Sequence, residues 1–171
     1  VLNIASEKLE HLVPLSKEPE GVAVTPDGKR VYATCETNGD VWVIDAGTNK
    51  SIGRMSVPPR PRNVAFLPDG SAVFVPSESS GQISLIDPPA MKVLKTVRLP
   101  VGSRPMGLAI RPDGSKLYVS TARGGTVLVL DPKSLEMTKT IEVGKRPWGI
   151  AISPDGRLLF VANGPSNDVS I

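Results

Sequence analysis

Five arginines sit where they could hold an anion. Arg60-Pro61-Arg62, Arg104-Pro105 and Arg146-Pro147-Trp148 repeat an Arg-Pro step at intervals of 44 and 42 residues, and Arg123 follows in a Gly-rich stretch. A guanidinium is a planar fork of N–H donors that matches a carboxylate. Arg60, Arg62, Arg104, Arg123 and Arg146 therefore predict a small anionic ligand or a protein partner on one rim. Trp148 would add an apolar contact, since its repeat equivalents Glu20, Arg62 and Met106 show that the scaffold does not require an aromatic there, and Asn163 would add an amide. Glu18, Glu20, Glu36 and Glu78 fall in the same loops. A second reading thus stays open, in which the arginines pair with them or bond loop carbonyls.

Other chemistries find little to work with. His11 is the only histidine and Cys35 the only cysteine, so a His-based triad, a His-rich metal set, a disulfide framework and a Cys-x-x-Cys-His haem attachment are all unsupported. There is no Walker-type phosphate loop and no dinucleotide fingerprint. Asp27, Asp69, Asp113 and Asp155 are regularly spaced, but each stands in Pro-Asp-Gly. In that tripeptide Pro fixes φ, Asp bonds back to the backbone and Gly takes a positive φ, so a tight turn explains all four. No catalytic residue, metal ligand or cofactor is assigned. Cys35 reads as a buried strand residue, and His11 as part of an outer strand.

Composition narrows the class further. At 171 residues and 40% hydrophobic the chain can fill a core. It has no apolar run near the ~18 residues a membrane helix needs and no basic start leading into an apolar stretch. A net charge of +3 without charge blocks, and 4% aromatics, give nucleic-acid binding no support.

The elements that must position these residues come from a repeat. Pro-Asp-Gly recurs at Pro26, Pro68, Pro112 and Pro154, and the flanking sequence recurs with it: "EPEGVAVTPDGKRVYATCETNGDVWVID", "RPRNVAFLPDGSAVFVPSESSGQISLID", "RPMGLAIRPDGSKLYVSTARGGTVLVLD" and "RPWGIAISPDGRLLFVANGPSNDVSI". Each unit reads as four strands joined by turns. The first is small and apolar, as in Gly107 to Ile110, and is expected to be the most buried. The second carries Tyr32, Phe74, Tyr118 or Phe160 at a fixed place, packing between neighbouring repeats. The fourth alternates, as an outermost half-exposed strand should. Four antiparallel strands per unit of this length predict an all-β chain forming a β-propeller. The repeats fall approximately at 1–17 (partial), 18–59, 60–103, 104–145 and 146–171 (partial).

At "VYAT", "LYVS" and "LFVAN" the units resemble the YVTN family of β-propeller repeats, along the whole chain. "GKRPWGIAISPDGRLLFVANGPSNDVSI" and "RPMGLAIRPDGSKLYVSTARGGTV" are further similar to β-propeller proteins encoded beside pyrroloquinoline quinone (PQQ) dependent alcohol dehydrogenases. That resemblance implies an exported, periplasmic propeller of seven or eight blades, accompanying quinone-linked alcohol oxidation without a firmly assigned catalytic activity.

Val1 and Ile171 both match Val43 in the repeat. Four units cut through a strand suggest part of a longer propeller, one copy closing on itself, or a homodimer completing eight blades. In a propeller the loops after the second strand and those leading into the first share one face, so the arginines are expected to gather there and the Pro-Asp-Gly turns opposite. The expected function is a noncatalytic periplasmic propeller binding a protein partner or small anionic ligand. The alternative is a propeller enzyme, either a metal-dependent lactonase-like hydrolase or a haem-binding oxidoreductase.

Overall fold

The computed structural model describes residues 1–171 as seventeen strands with no helix. A short hairpin pairs β1 (Leu2–Asn3) with β2 (Lys8–Leu9). The first full blade is β3 (Pro19–Val24), β4 (Arg30–Cys35), β5 (Asp40–Asp45) and β6 (Lys50–Ser56). The second is β7 (Ala65–Phe66), β8 (Val73–Ser77), β9 (Gln82–Asp87) and β10 (Lys92–Arg98). The third is β11 (Pro105–Ile110), β12 (Leu117–Thr121), β13 (Thr126–Leu130) and β14 (Met137–Glu142). In the fourth, β15 (Pro147–Ile152), β16 (Leu159–Asn163) and β17 (Asp168–Ser170) form three strands. Strands pair antiparallel with their sequence neighbours, as hairpins joined by tight turns must. The four units stand side by side as propeller blades.

The core lies between blades, because successive residues of a strand point to opposite faces and each face meets a different neighbour. Tyr32, Val41 and Val43 of the first blade pack with Val64, Val73, Val75 and Ile86 of the second. On the other side of the second blade, Leu67, Phe74 and Ile83 pack with Leu108, Leu117, Val119 and Leu128 of the third. The fixed aromatics act as expected here: Tyr32 and Phe74 are fully buried. The Tyr32 hydroxyl donates to the Pro88 carbonyl at 2.9 Å, and its ring meets Phe66 edge-on with centroids 5.1 Å apart.

Four turns confirm the reading of Pro-Asp-Gly. Gly28, Gly70, Gly114 and Gly156 have φ between +69° and +73°. Asp27, Asp69, Asp113 and Asp155 accept the backbone N–H two residues on, at 2.9 to 3.1 Å. Each aspartate is consumed by its own turn.

Two expectations change. The first strand is not uniformly the most buried: β11 is buried almost throughout, whereas Val22 and Val24 of β3 are 69% and 56% exposed. Its apolar side chains are covered by the adjacent blades rather than by their own sheet, and β11 has a blade on each side. His11 lies outside any strand and is exposed; its carbonyl accepts a hydrogen bond from the Val1 amino group.

Candidate functional site

Pairing geometry brings the two sets of loops onto one face. A proline at the start of the first strand, or in the second blade four residues before it, stands opposite the end of the second strand: Pro19 opposite Cys35, Pro61 opposite Ser77, Pro105 opposite Thr121 and Pro147 opposite Asn163. Register then slips before pairing resumes, so the residues just before and after each proline swing out of the sheet. Arg60 and Arg146 take left-handed backbone, at φ 61° and 53°. Glu78 N–H donates to the Arg60 carbonyl at 2.9 Å and Ala122 N–H to that of Arg104 at 2.8 Å, tying each arginine loop to the loop after the second strand of the same blade.

Arg60, Arg62 and Arg104 meet Glu20, Glu36 and Glu78 in one network. Arg62 is its centre: Nη1 donates to Glu20 at 2.6 Å and also to Glu36, while Nη2 pairs with Glu78 at 2.6 Å. Arg60 donates through Nε to Glu36 and lies 3.8 Å from Glu78. Arg104 holds the far oxygen of Glu78 at 3.3 Å. The Arg62, Glu36 and Glu78 side chains are largely buried, whereas Arg60 is 40% exposed, and Glu20 and Arg104 are each 34% exposed. The second reading of the sequence thus holds for these three arginines as the chain stands, since each already has a carboxylate.

Proton affinities differ across the network. Burial and the adjoining Glu36 raise Glu20 above the usual carboxylate range, against the pull of Arg62. Burial would raise Glu36 too, but the adjoining Glu20 carboxyl and the Arg60 and Arg62 guanidiniums lower it. Glu78 is also lowered, its burial outweighed by Arg62 with help from Arg60 and Arg104.

The other candidates separate from this cluster. The Arg146 guanidinium lies over the Trp148 ring at 5.4 Å, and Trp148 is 47% exposed, making a cationic aromatic shelf. The Trp148 backbone is fixed by the Ser120 hydroxyl, which accepts from Gly107 N–H and donates to the Trp148 carbonyl at 2.8 Å. Arg123 is exposed and lines a groove with Arg104. Asn163 does not join the open face: it is buried, and its amide donates to Asp168 and Ser170 at 2.7 and 2.8 Å, pinning β16 to β17. Arg98 shares the Arg104 groove, and the sequence reading passed over it as one more polar position of an outer strand.

The face fits a divalent cation poorly. No group of three or more His, Cys, Asp and Glu side chains is placed to hold a metal ion, because arginines stand between these glutamates and take up their oxygens. What the cluster offers is a partly exposed carboxyl of raised proton affinity beside guanidiniums.

The fold is shared with solved structures at low identity. A 6-phosphogluconolactonase candidate from Bacteroides uniformis superposes with a TM-score of 0.78 at 20% identity, over 88% of this chain and 49% of that one. Hydrazine synthase from Kuenenia stuttgartiensis gives 0.52 at 17% identity, over 99% and 87%. The chain thus spans about half the length of the Bacteroides protein. No curated protein matches it by sequence. The sequence model described as "Lactonase, 7-bladed beta-propeller" matches residues 22–171, and the chain belongs to that family of propellers.

Proposed function

We propose that this chain carries part of a lactone-hydrolysing site, with Glu20 as general base. The observation that carries the proposal is the raised, one-third-exposed Glu20 carboxyl beside Glu36 and within reach of Arg62. Membership of the lactonase propeller family and the Bacteroides likeness support it. A carboxylate with raised proton affinity is a better base than an ordinary one. In the reaction, water oxygen bonds the lactone carbonyl carbon while a water proton passes to Glu20. The carbon–ring oxygen bond then breaks, and Glu20 returns the proton to that oxygen, giving the open hydroxy acid. In this reading the guanidinium that holds the oxyanion is that of Arg60, which is 40% exposed.

The test is ring opening of aldonolactones followed by pH-stat, with the spontaneous rate subtracted. Replacing Glu20 by Gln is expected to lower kcat about 10²- to 10⁴-fold. Undiminished hydrolysis in Glu20→Gln, or none by the unaltered protein, would overturn the reading.

A second reading rests on the Arg146–Trp148 shelf, which no carboxylate of the chain occupies. In it the protein is a noncatalytic, exported propeller in PQQ-linked alcohol oxidation whose rim binds a protein or small anion. Pull-down of a partner by the unaltered protein, and its loss in Trp148→Ala with Glu20 intact, would favour this reading over hydrolysis.

A further inference from the structure

A hollow of about 430 Å³ opens on the face of the Pro-Asp-Gly turns, opposite Glu20, where the second blade meets the third. Leu67, Ala72, Leu85 and Leu94 give it an apolar wall, and Asp69 and Pro132 line it as well. Each of the two blades packs against a neighbour on both sides, so the hollow is complete within the chain. The Ser71 N–H and hydroxyl both donate to one carboxylate oxygen of Asp69, and Asp69 forms no ion pair. Lys133 also lines the hollow but is exposed and beyond ion-pair distance of Asp69, while Asp113, the other acid there, already has Arg111 at 3.5 Å.

The internal repeat shows what is particular to this place. Where the first blade meets the second, the Pro88 carbonyl has two donors, Arg30 Nη1 at 3.0 Å and the Tyr32 hydroxyl at 2.9 Å. By repeat position Ala72, Phe74 and Pro132 stand at the next junction where Arg30, Tyr32 and Pro88 stand at this one. The backbone pairs alike at both, since Thr25 N–H bonds the Arg30 carbonyl and Leu67 N–H that of Ala72, each at 2.9 Å. Alanine is too short to span the gap, and phenylalanine has no hydroxyl. Pro132 is buried, yet no N–H or O–H of the chain donates to its carbonyl, although buried carbonyls are nearly always paired. Thr25 also gives way to Leu67, so a polar junction spanned by Arg30 becomes an apolar-walled hollow with an acceptor left over.

We propose that this hollow binds the guanidinium of a small alkylguanidine, which enters from solvent into the place that Arg30 takes from within the chain at the first junction. A guanidinium has donors enough for a carbonyl and a carboxylate. Arg30 itself bonds the Pro88 carbonyl, and its charge, after the Thr25 and Lys29 hydrogen bonds, helps to lower Asp27, the counterpart of Asp69. An alkyl stem suits Leu67, Leu85 and Leu94 as the stem of an arginine suits apolar surface. An ammonium is a more strongly hydrated point charge and loses more on entering. The volume matches a small ligand of this kind, and the proposal is independent of hydrolysis at Glu20 on the other face.

Calorimetric titration at fixed ionic strength tests it, with n-butylguanidinium and n-butylammonium as probes. The expected result is saturable binding of butylguanidinium, with butylammonium about tenfold weaker or more. Ala72→Arg supplies the chain's own guanidinium and is expected to abolish binding while raising the thermal unfolding temperature. Phe74→Tyr restores the hydroxyl that Tyr32 provides at the first junction, and is expected to weaken binding about tenfold and likewise to stabilise the fold. Asp69→Asn is expected to weaken binding by a similar factor, whereas Asp27→Asn, the same change at the junction that Arg30 spans, is expected to leave it unchanged. Equal losses in Asp69→Asn and Asp27→Asn would mean attraction to surface charge and would overturn the site. Equal affinity for the two probes would overturn the guanidinium assignment. Undiminished binding in Ala72→Arg and Phe74→Tyr, both folded, would overturn the place of the site, and no saturable binding to the unaltered chain would overturn the proposal and leave water as the donor to Pro132.

Discussion

Arg62 donates to three carboxylates from two blades, and its own side chain is only 10% exposed. Removing it leaves Glu36 and Glu78 as buried charges with too few partners. Arg62→Ala is therefore expected to cost about 3 kcal/mol in urea unfolding, the scale of a broken buried pair. Arg62→Lys should restore only part of this, since one ammonium cannot reproduce the fork. The network also predicts a pH dependence with a definite sign. Glu78 is depressed in the folded state, so its contribution is present above the ordinary glutamate value of about 4.3 and is lost as pH falls toward its folded value. Glu20 is raised and works the other way: its ionisation destabilises the fold as pH rises from that ordinary value through the folded one. Glu78→Gln should flatten the acid limb of a stability–pH curve, and Glu20→Gln the limb just above it; an unchanged curve in both would refute the assignment. The participants of this network were legible in the sequence, because repeat alignment placed the arginines and glutamates in loops of one face. Which acid would meet which base was not legible, since that depends on side-chain reach across blades. Arg98 was missed for a related reason: it sits at the end of an alternating outer strand, where a polar residue needs no special explanation.

At the level of elements, the site depends on how closely the first strands of adjacent blades approach. A Cβ on Gly107 would lie 2.5 Å from the Trp148 carbonyl oxygen, and one on Gly21 would lie 2.6 Å from the Asn63 Cα. Both contacts are with backbone, which cannot swing aside. Gly107→Ala is expected to destabilise by about 1 to 3 kcal/mol through overpacking. It should also displace Trp148, seen as a shift in its fluorescence emission. Ser120→Ala removes the hydroxyl that links Gly107 to Trp148 and should cost about 1 kcal/mol. If Gly107→Ala unfolds like the unaltered protein, the blades are packed less tightly than this. Strand count, turn chemistry and the between-blade role of Tyr32 and Phe74 were all readable, because local spacing specifies them. The burial of the first strand was not, because it is conferred by neighbouring sheets and a single unit's pattern does not encode them.

Across the whole molecule, identical repeat positions have different surroundings. Val64 and Leu108 are 4% and 7% exposed, while their equivalent Val22 is 69% exposed. Phe74 is fully buried, while Phe160 is 36% exposed. The outer faces of the first and fourth blades therefore present apolar side chains. Burying a valine of this kind is worth about 1.5 to 3 kcal/mol, so the 171-residue chain is expected to self-associate in solution. Light scattering over a concentration series should show a mass rising above the 18.1 kDa of one chain. Val22→Lys with Val24→Lys should lower it, because each places a charge on the open face. The form of the association is informative in itself. Two copies closing an eight-bladed ring would stop at a dimer, whereas open faces that stack in succession would not. Open-ended stacking shows as a mass that keeps rising with concentration. A dimer that stays constant over the whole series would instead support the eight-bladed pairing, and a mass of one chain at every concentration would show that neither open face drives association.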